Sequence, residues 1–512
     1  MHIMDALKNE TAYANKVETE NGALGFANFK SALVDFFYKV SSMRKWAKID
    51  KINAFQHALD EDQKLAYRML FFIRDVRGGL GERQLFRDIM LALPAETVIP
   101  LLPLIPEYGR WDDLIAMLEH PRQSVRDAVY GILRTQWNRD IENFKMDRPI
   151  SLLAKWLPSI RKVNADKVKL AKKLSRECFR LKEPEYRRGL SCLREHLKVV
   201  EREMSTDNWQ FIDYEKVPSK AGMIYRNAFL KHDEERRRAF LAKLEKGEAK
   251  VNAGAVYPYE IVSQYRRSLW LNDVALEAAW KALPLPKGML ENAIVVRDGS
   301  GSMMTQISGS TTALDVATSL AVLMSEHLTG PFKDRFITFS NNPKFVDLGH
   351  CRTLHEKAER AWRESEISNT DIEKTMKLVL DAAVRNNLRQ EDIPTVVIIS
   401  DMEFDQARRA YYNWDGGVQD EKTLFETIGR QWSDKGYKLP RLVFWNVASR
   451  TGAVPMQENE NGLLLVSGFS QNILDMLSGN GGMLDILRKK LMVERYDAVT
   501  SALSTWKDKL MF

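Results

Sequence analysis

The chain has 512 residues, 45% hydrophobic and 28% charged, and carries a formal net charge of +7. That length suits two to four domains with sizeable cores, and no apolar run is long enough to span a membrane. Three scattered cysteines (Cys178, Cys192, Cys351) exclude a disulfide framework or a thiolate metal cluster, and predict a reducing, cytoplasmic setting.

The N-terminal residues lack an apolar core with a cleavage site, so no signal peptide is expected. Residues 1–26 are polar and predicted to be partly irregular. From Phe29 onward the pattern is helical. Phe29, Leu33, Phe36, Phe37 and Val40 form one stripe, Ala66, Met69, Leu70 and Ile73 a second, and Leu85, Ile89 and Leu91 a third. Short breaks fall at Gly78 to Gly81, Pro94, Pro100 to Pro106, Pro121, Pro149, Pro158 and Pro184. Helices of ordinary length with brief Pro/Gly turns predict an all-α, HEAT-like solenoid over residues 27–282. The run GGLGER (Gly78 to Arg83) lacks the Lys-Ser/Thr ending of a phosphate loop and has no strand before it. It reads as a helix-to-helix turn.

Charge divides unevenly. Residues 1–290 hold 50 Lys and Arg against 39 Asp and Glu, while 291–512 hold 26 against 30. Residues 151–200 alone carry 14 basic and 5 acidic side chains. Within them, Ala165 to Leu181 is predicted as a helix with Lys169, Lys172, Lys173, Arg176 and Arg180 in a sector of roughly 100°. Val168, Ala171, Leu174, Cys178 and Leu181 take the opposite side. Arg161, Lys162, Lys182, Arg187 and Arg188 extend the ridge. Such faces are often merely solvated, but like charges at this spacing repel one another, and a polyanion relieves the repulsion. Trp137, Phe144, Trp156, Phe179 and Tyr186 are aromatics near enough in sequence to stack on unpaired bases. Nucleic-acid contact is the expectation here.

Residues 283–290, LPLPKG and its flanks, read as a linker. Beyond it, Asn292 to Val296 is a β-branched run of the kind that forms a buried parallel strand. It ends in Asp298-Gly299-Ser300-Gly301-Ser302, and an amphipathic helix, Thr312 to His327, is predicted to follow. One carboxylate and two hydroxyls at a strand end are hard oxygen ligands. They suit Mg²⁺ foremost, with Mn²⁺ or Ca²⁺ as alternatives. The stretch resembles the von Willebrand factor A (vWA) domain and its metal-ion-dependent adhesion site. That resemblance implies two more ligands in order, and Thr370, before a helix starting near Ile372, and Asp401, after the strand-like run Pro394 to Ser400, fill those places. The ligand set is then Asp298, Ser300, Ser302, Thr370 and Asp401, at the carboxyl ends of strands where open α/β sheets bind ligands. Residues 291–480 are expected to form this α/β, Rossmann-like domain, with strands at Asp334 to Phe339, Lys344 to Asp347, Arg441 to Asn446 and Gly462 to Val466. Residues 481–512 are a helical tail able to pack back on the helical part.

With both halves in view, the chain is similar to the Ro autoantigen (TROVE) family. It is more similar still to a related family of uncharacterised proteins from plants, microbes and large viruses that share the layout. The motifs carrying this are VRGGLGER (Val76 to Arg83), YGRWDDL (Tyr108 to Leu114), VPSKAG (Val217 to Gly222), KVNAGAVYPYEIV (Lys250 to Val262), DGSGSM, LVFWNVASR and LVSGFSQNIL. The resemblance implies a ring-shaped helical domain that binds structured or misfolded non-coding RNA, with the vWA domain closing the ring. It also implies a cation completed by an acidic residue of a protein partner. No nucleophile triad, carboxylate pair or nucleotide loop suggests an enzyme. The expectation is a monomeric RNA-binding scaffold without membrane attachment. The alternative is a protein-only adaptor in which the ridge is incidental.

Overall fold

The computed structural model describes residues 15–160, 164–251, 253–254, 256–266, 273–285, 292–340, 342–365, 371–405 and 423–510. The chain divides into two compact units, residues 1–66 with 256–492, and residues 67–255 with 493–512.

The first unit is built on a six-stranded sheet. An N-terminal hairpin pairs β1 (Lys16–Glu18) with β2 (Leu24–Phe26). The sheet itself comprises β3 (Ala293–Asp298), β4 (Arg335–Phe339), β5 (Phe345–Asp347), β6 (Thr395–Ser400), β7 (Leu442–Asn446) and β8 (Leu463–Ser467), in the order β8-β7-β6-β3-β4-β5. All neighbours run parallel except the edge strand β5, which is antiparallel to β4. Every residue of β3, β7 and β8 is buried, as expected of strands covered on both faces. The helix Ala313–His327 is not amphipathic as its spacing suggested. Residues 313–325 are all buried, because it lies between β3 and the helices Pro258–Tyr265 and Leu354–Arg363. Two of its buried hydroxyls are satisfied locally, Ser319 Oγ donating to the Val316 carbonyl and Ser325 Oγ to that of Val322.

Two segments that read as parts of the helical domain belong to this unit. Helix Ala32–Tyr38 carries the stripe Leu33, Phe36 and Phe37 to the sheet, where Asn446 Nδ2 donates to the Tyr38 carbonyl at 3.2 Å and the Ser41 amide donates to Ser467 Oγ at 3.0 Å. Helix Pro258–Tyr265 packs on Ala313–His327, and Arg266 reaches the buried Asp315 at 3.0 Å. Residues 15–26, expected to be irregular, form the hairpin. Its Phe26 amide donates to the Val454 carbonyl at 2.8 Å.

The second unit is helical among its described residues. The Pro100 to Pro106 segment does not interrupt the chain as predicted. Ala95–Leu101, a 3₁₀ turn Leu102–Leu104 and Ile105–Tyr108 follow one another directly, with Pro103 and Pro106 near the starts of their pieces, where a missing amide costs nothing. The GGLGER turn is structural. Asp75, fully buried beside it, accepts from Arg495 Nε at 2.5 Å, Arg495 Nη2 at 2.8 Å and the Tyr496 hydroxyl at 3.0 Å. Burial pushes the Asp75 carboxyl up, but the Arg495 bonds together with the Arg77 and Gly78 amides outweigh it and hold the carboxyl below the ordinary range. In the YGRWDDL motif, buried Asp113 binds Arg74 Nε and Arg87 Nε, both at 2.8 Å, and accepts from the Arg110 amide at 2.9 Å.

A Cβ on Gly79 would stand 1.8 Å from the Phe72 carbonyl oxygen, whereas one on Gly131, inside helix Gln123–Lys145, would meet nothing within 4 Å. Gly79→Ala should therefore cost several kcal/mol of stability, on the order of the larger single-site effects. Gly131→Ala should stabilise by about 0.5–1 kcal/mol. Thermal melting of both variants checks the contrast.

Candidate functional site

The carboxyl ends of β3 and β6, which are adjacent in the sheet, bring Asp298 and Asp401 together. Both are buried, at 0% and 1% exposure. Ser400 Oγ donates to Asp298 Oδ2 at 2.6 Å and accepts from the Met402 amide at 2.9 Å, so one hydroxyl ties the two loops. The Ser300 amide donates to Asp298 Oδ1 at 2.9 Å, and the Ser300 and Ser302 hydroxyls lie 2.9 Å apart. Met402 holds a left-handed backbone, φ 62°, a conformation that side-chain-bearing residues adopt at a cost.

Burial first, and then the neighbouring Asp298, push the Asp401 carboxyl up to about 7, against the hydrogen bond it takes from Ser302. Burial raises Asp298 as well, although Ser400 and Ser300 bond to its charged form. Asp401 Oδ2 is sealed from solvent without a hydrogen bond, and Arg450 Nη2 stands 3.5 Å from it. Four of the five predicted ligands, Asp298, Ser300, Ser302 and Asp401, therefore converge. Thr370 lies outside the described residues. Asp371 beside it caps the helix Ile372–Arg385 by accepting from the Lys374 amide at 3.0 Å.

This donor set fits a hard divalent cation: two carboxylates that repel each other, two hydroxyls, and a buried carboxylate oxygen with no hydrogen bond. Among the described residues, no group of three or more His, Cys, Asp or Glu forms a cation site, so an ion here would rest on two carboxylates and hydroxyls.

Three residues around the site were missed by sequence reading. Arg297, on β3 and fully buried, donates to Ser365 Oγ at 2.8 Å and lies over the Phe336 ring; burial pushes it down to about 10. It thereby holds Ser365, the last described residue before position 371. Glu403, also fully buried, accepts from the amides of Glu20, Arg450 and Thr451 at 2.9, 2.7 and 2.9 Å. Arg450 closes the LVFWNVASR motif. A charged residue inside a buried-strand pattern was the available signal for Arg297.

In the helical unit, Ala165–Lys173 is α-helical and continues as a π-turn over Leu174–Cys178. The chain then leaves the helix, with Arg180 left-handed at φ 56°. The predicted single helix to Leu181 is thus shorter, because Ser175 Oγ captures the Leu181 carbonyl at 2.8 Å and wraps the end. Lys169, Lys172, Lys173, Arg176, Arg180, Arg187 and Arg188 are all exposed, while Ala171, Leu174 and Cys178 are buried. Lys172 pairs with Glu183 at 3.3 Å and Arg176 with Glu177 at 3.0 Å. Arg161 and Lys162 lie outside the described residues. Trp137, Phe179 and Tyr186 are buried and packed on one another, with centroids 4.8–5.8 Å apart, so they form core and are not a base-stacking platform. Among the described residues no helix is long and apolar enough to cross a membrane.

Two family models match the chain, each described only as a domain of unknown function: DUF7788 over residues 292–507 and DUF2828 over residues 132–283. An uncharacterised protein, L728, of Acanthamoeba polyphaga mimivirus is 29% identical, covering 90% of this chain and 84% of its own. Among solved structures, the Ro (RSR) protein of Deinococcus radiodurans aligns over 87% of this chain and 90% of its own, at 14% identity and a TM-score of 0.34.

Proposed function

We propose that the chain is an RNA-binding scaffold of the Ro kind, with a vWA-type module that holds a divalent cation for a protein partner. The observation that carries the metal half is the convergence of Asp298, Ser300, Ser302 and Asp401 around a buried carboxylate oxygen with no hydrogen bond. Those four side chains, with Thr370 as the fifth, would hold Mg²⁺ or Mn²⁺. The ion would supply a positive charge and an open position for an acidic side chain. Serine hydroxyls and hydrogen-bonded carboxylates make a binding site, and the proposed role is binding and not catalysis.

The RNA half is supported by the exposed ridge Lys169, Lys172, Lys173, Arg176, Arg180, Arg187 and Arg188. Recognition there is of phosphate, since the nearby buried aromatics stack on one another. The adaptor reading has its own support, because two ridge cations already have acidic neighbours, Glu183 and Glu177.

Mn²⁺ titration calorimetry tests the metal. The wild type should bind, and Asp298→Asn, which keeps the shape and removes the charge, should not. At about a hundred times Kd, Mn²⁺ should stabilise the wild type by about 2.7 kcal/mol and the variant by nothing measurable. Equal titrations would refute the assignment.

Replacing Lys169, Lys172, Lys173, Arg176 and Arg180 together by Gln tests the ridge. Stability should change little, since exposed substitutions are each usually within about 0.5 kcal/mol. Affinity for single-stranded RNA should fall, and the slope of log K against log salt should flatten by roughly 0.7 for each phosphate that the variant no longer neutralises. An unchanged slope selects the adaptor.

A further inference from the structure

The guanidinium of Arg450 lies between two carboxylates. Its Nη2 is 3.5 Å from Asp401 Oδ2 and 2.5 Å from Glu20 Oε2, in the turn between β1 and β2. Arg450 is mostly buried, at 19% side-chain exposure, and its Nε is sealed from solvent without a hydrogen bond. Glu20 is its opposite, with 55% of its side chain exposed. Arg450 is held in place from behind. Its amide donates to buried Glu403 at 2.7 Å, and its Nη1 reaches Thr305 Oγ1 at 3.4 Å. The turn carrying Glu20 is held by its backbone and neighbours: the Glu20 amide on Glu403 at 2.9 Å, the Thr19 hydroxyl on the Phe404 carbonyl at 2.7 Å, and Asn21 Nδ2 on the Glu403 carbonyl at 2.6 Å. None of these bonds uses the Glu20 carboxylate, which is therefore free to leave while the hairpin stays.

We propose that Arg450 is a carboxylate-binding anchor beside the metal ligands, and that Glu20 fills it in cis until an acidic protein segment displaces it. A planar guanidinium presents paired donors to a carboxylate, and this one already holds one at contact distance. An aspartate- or glutamate-bearing partner would thus meet the cation through one oxygen and Arg450 through its acidic neighbourhood. The inference rests on the metal reading above. The hairpin supplies the regulation: a site occupied by its own chain about nine-tenths of the time binds a competitor about tenfold more weakly.

The test uses the full chain, saturating Mn²⁺ and a fluorescein-labelled hexa-aspartate peptide, followed by anisotropy. Glu20→Gln keeps the amide bond to Glu403 and should bind the peptide about tenfold more tightly than wild type, with unchanged melting. Adding Arg450→Gln should remove that gain, and adding the ridge substitutions should not. Equal affinity of wild type and Glu20→Gln, including no binding by either, overturns the cis occupancy. A gain that survives Arg450→Gln overturns the anchor. The metal reading is judged separately by the Mn²⁺ titration of Asp298→Asn. If that titration matches wild type while the Glu20→Gln gain persists and depends on Arg450, the anchor stands without the cation.

Discussion

Two carboxylates of like charge end neighbouring parallel strands, out of contact with water, and the arrangement around them follows from that constraint. Removing one ion from water costs several kcal/mol even after relaxation, and a second of the same sign adds repulsion. The protein answers with oriented hydroxyls and amides: Ser400 on Asp298, the Ser300 amide on Asp298, and Ser302 on Asp401. These favour the charged forms without cancelling the charge, and Asp401 still sits near neutrality in its titration. Arg450 approaches Asp401 only to 3.5 Å and leaves its Oδ2 without a hydrogen bond, and a pair left under-satisfied in this way is what the proposed cation site would require. Asp113, with Arg74 and Arg87, shows what this chain builds when a buried carboxylate has only to hold the fold.

The second constraint is that neither compact unit is a continuous stretch of chain. The sheet unit takes in residues before 67, and the helical unit takes in residues after 492. Specific buried polar contacts mark both excursions. Asn446 and Ser467 hold the segment around Tyr38 to Ser42, and Asp75 holds Arg495 and Tyr496. Each joins residues about 400 positions apart, so long loops must close before these bonds can form. Such closure costs entropy slowly with length but slows folding.

The strands of the six-stranded sheet were legible to within one or two residues, because runs such as Val396 to Ser400 and Leu463 to Val466 are apolar, β-branched or leucine-rich, and bounded by turns, whereas the short hairpin strands Lys16–Glu18 and Leu24–Phe26 show no such pattern. So was the cluster of Asp298, Ser300, Ser302 and Asp401, since hydroxyls and a carboxylate spaced by glycines at a strand end have few other uses. What periodicity could not say is which surface a stripe covers. Leu33, Phe36 and Phe37 look alike whether they face another helix or a sheet, and the boundary drawn at residue 282 missed that Pro258–Tyr265 belongs with the sheet unit. Nor can local pattern place a charge that acts across the chain. Glu403 and Arg450 are 47 positions apart, and Glu20 lies 430 from Arg450.

The same distinction governs what the helical motifs can support. The residues within VRGGLGER and YGRWDDL close a tight turn at Gly79 and bury an ion pair at Asp113. They specify a fold. The exposed cations of residues 165–188, two of which pair with Glu183 and Glu177, sit on a segment that owes its form to a different device. Cys178 and Leu174 bury one side, the π-turn ends the helix, and Arg134 Nε caps the Cys178 carbonyl at 2.6 Å. The lysines and arginines on the outer side contribute little to that framework. Their repulsion is relieved in part by Glu183 beside Lys172 and Glu177 beside Arg176, and the proposed RNA phosphates would relieve the rest.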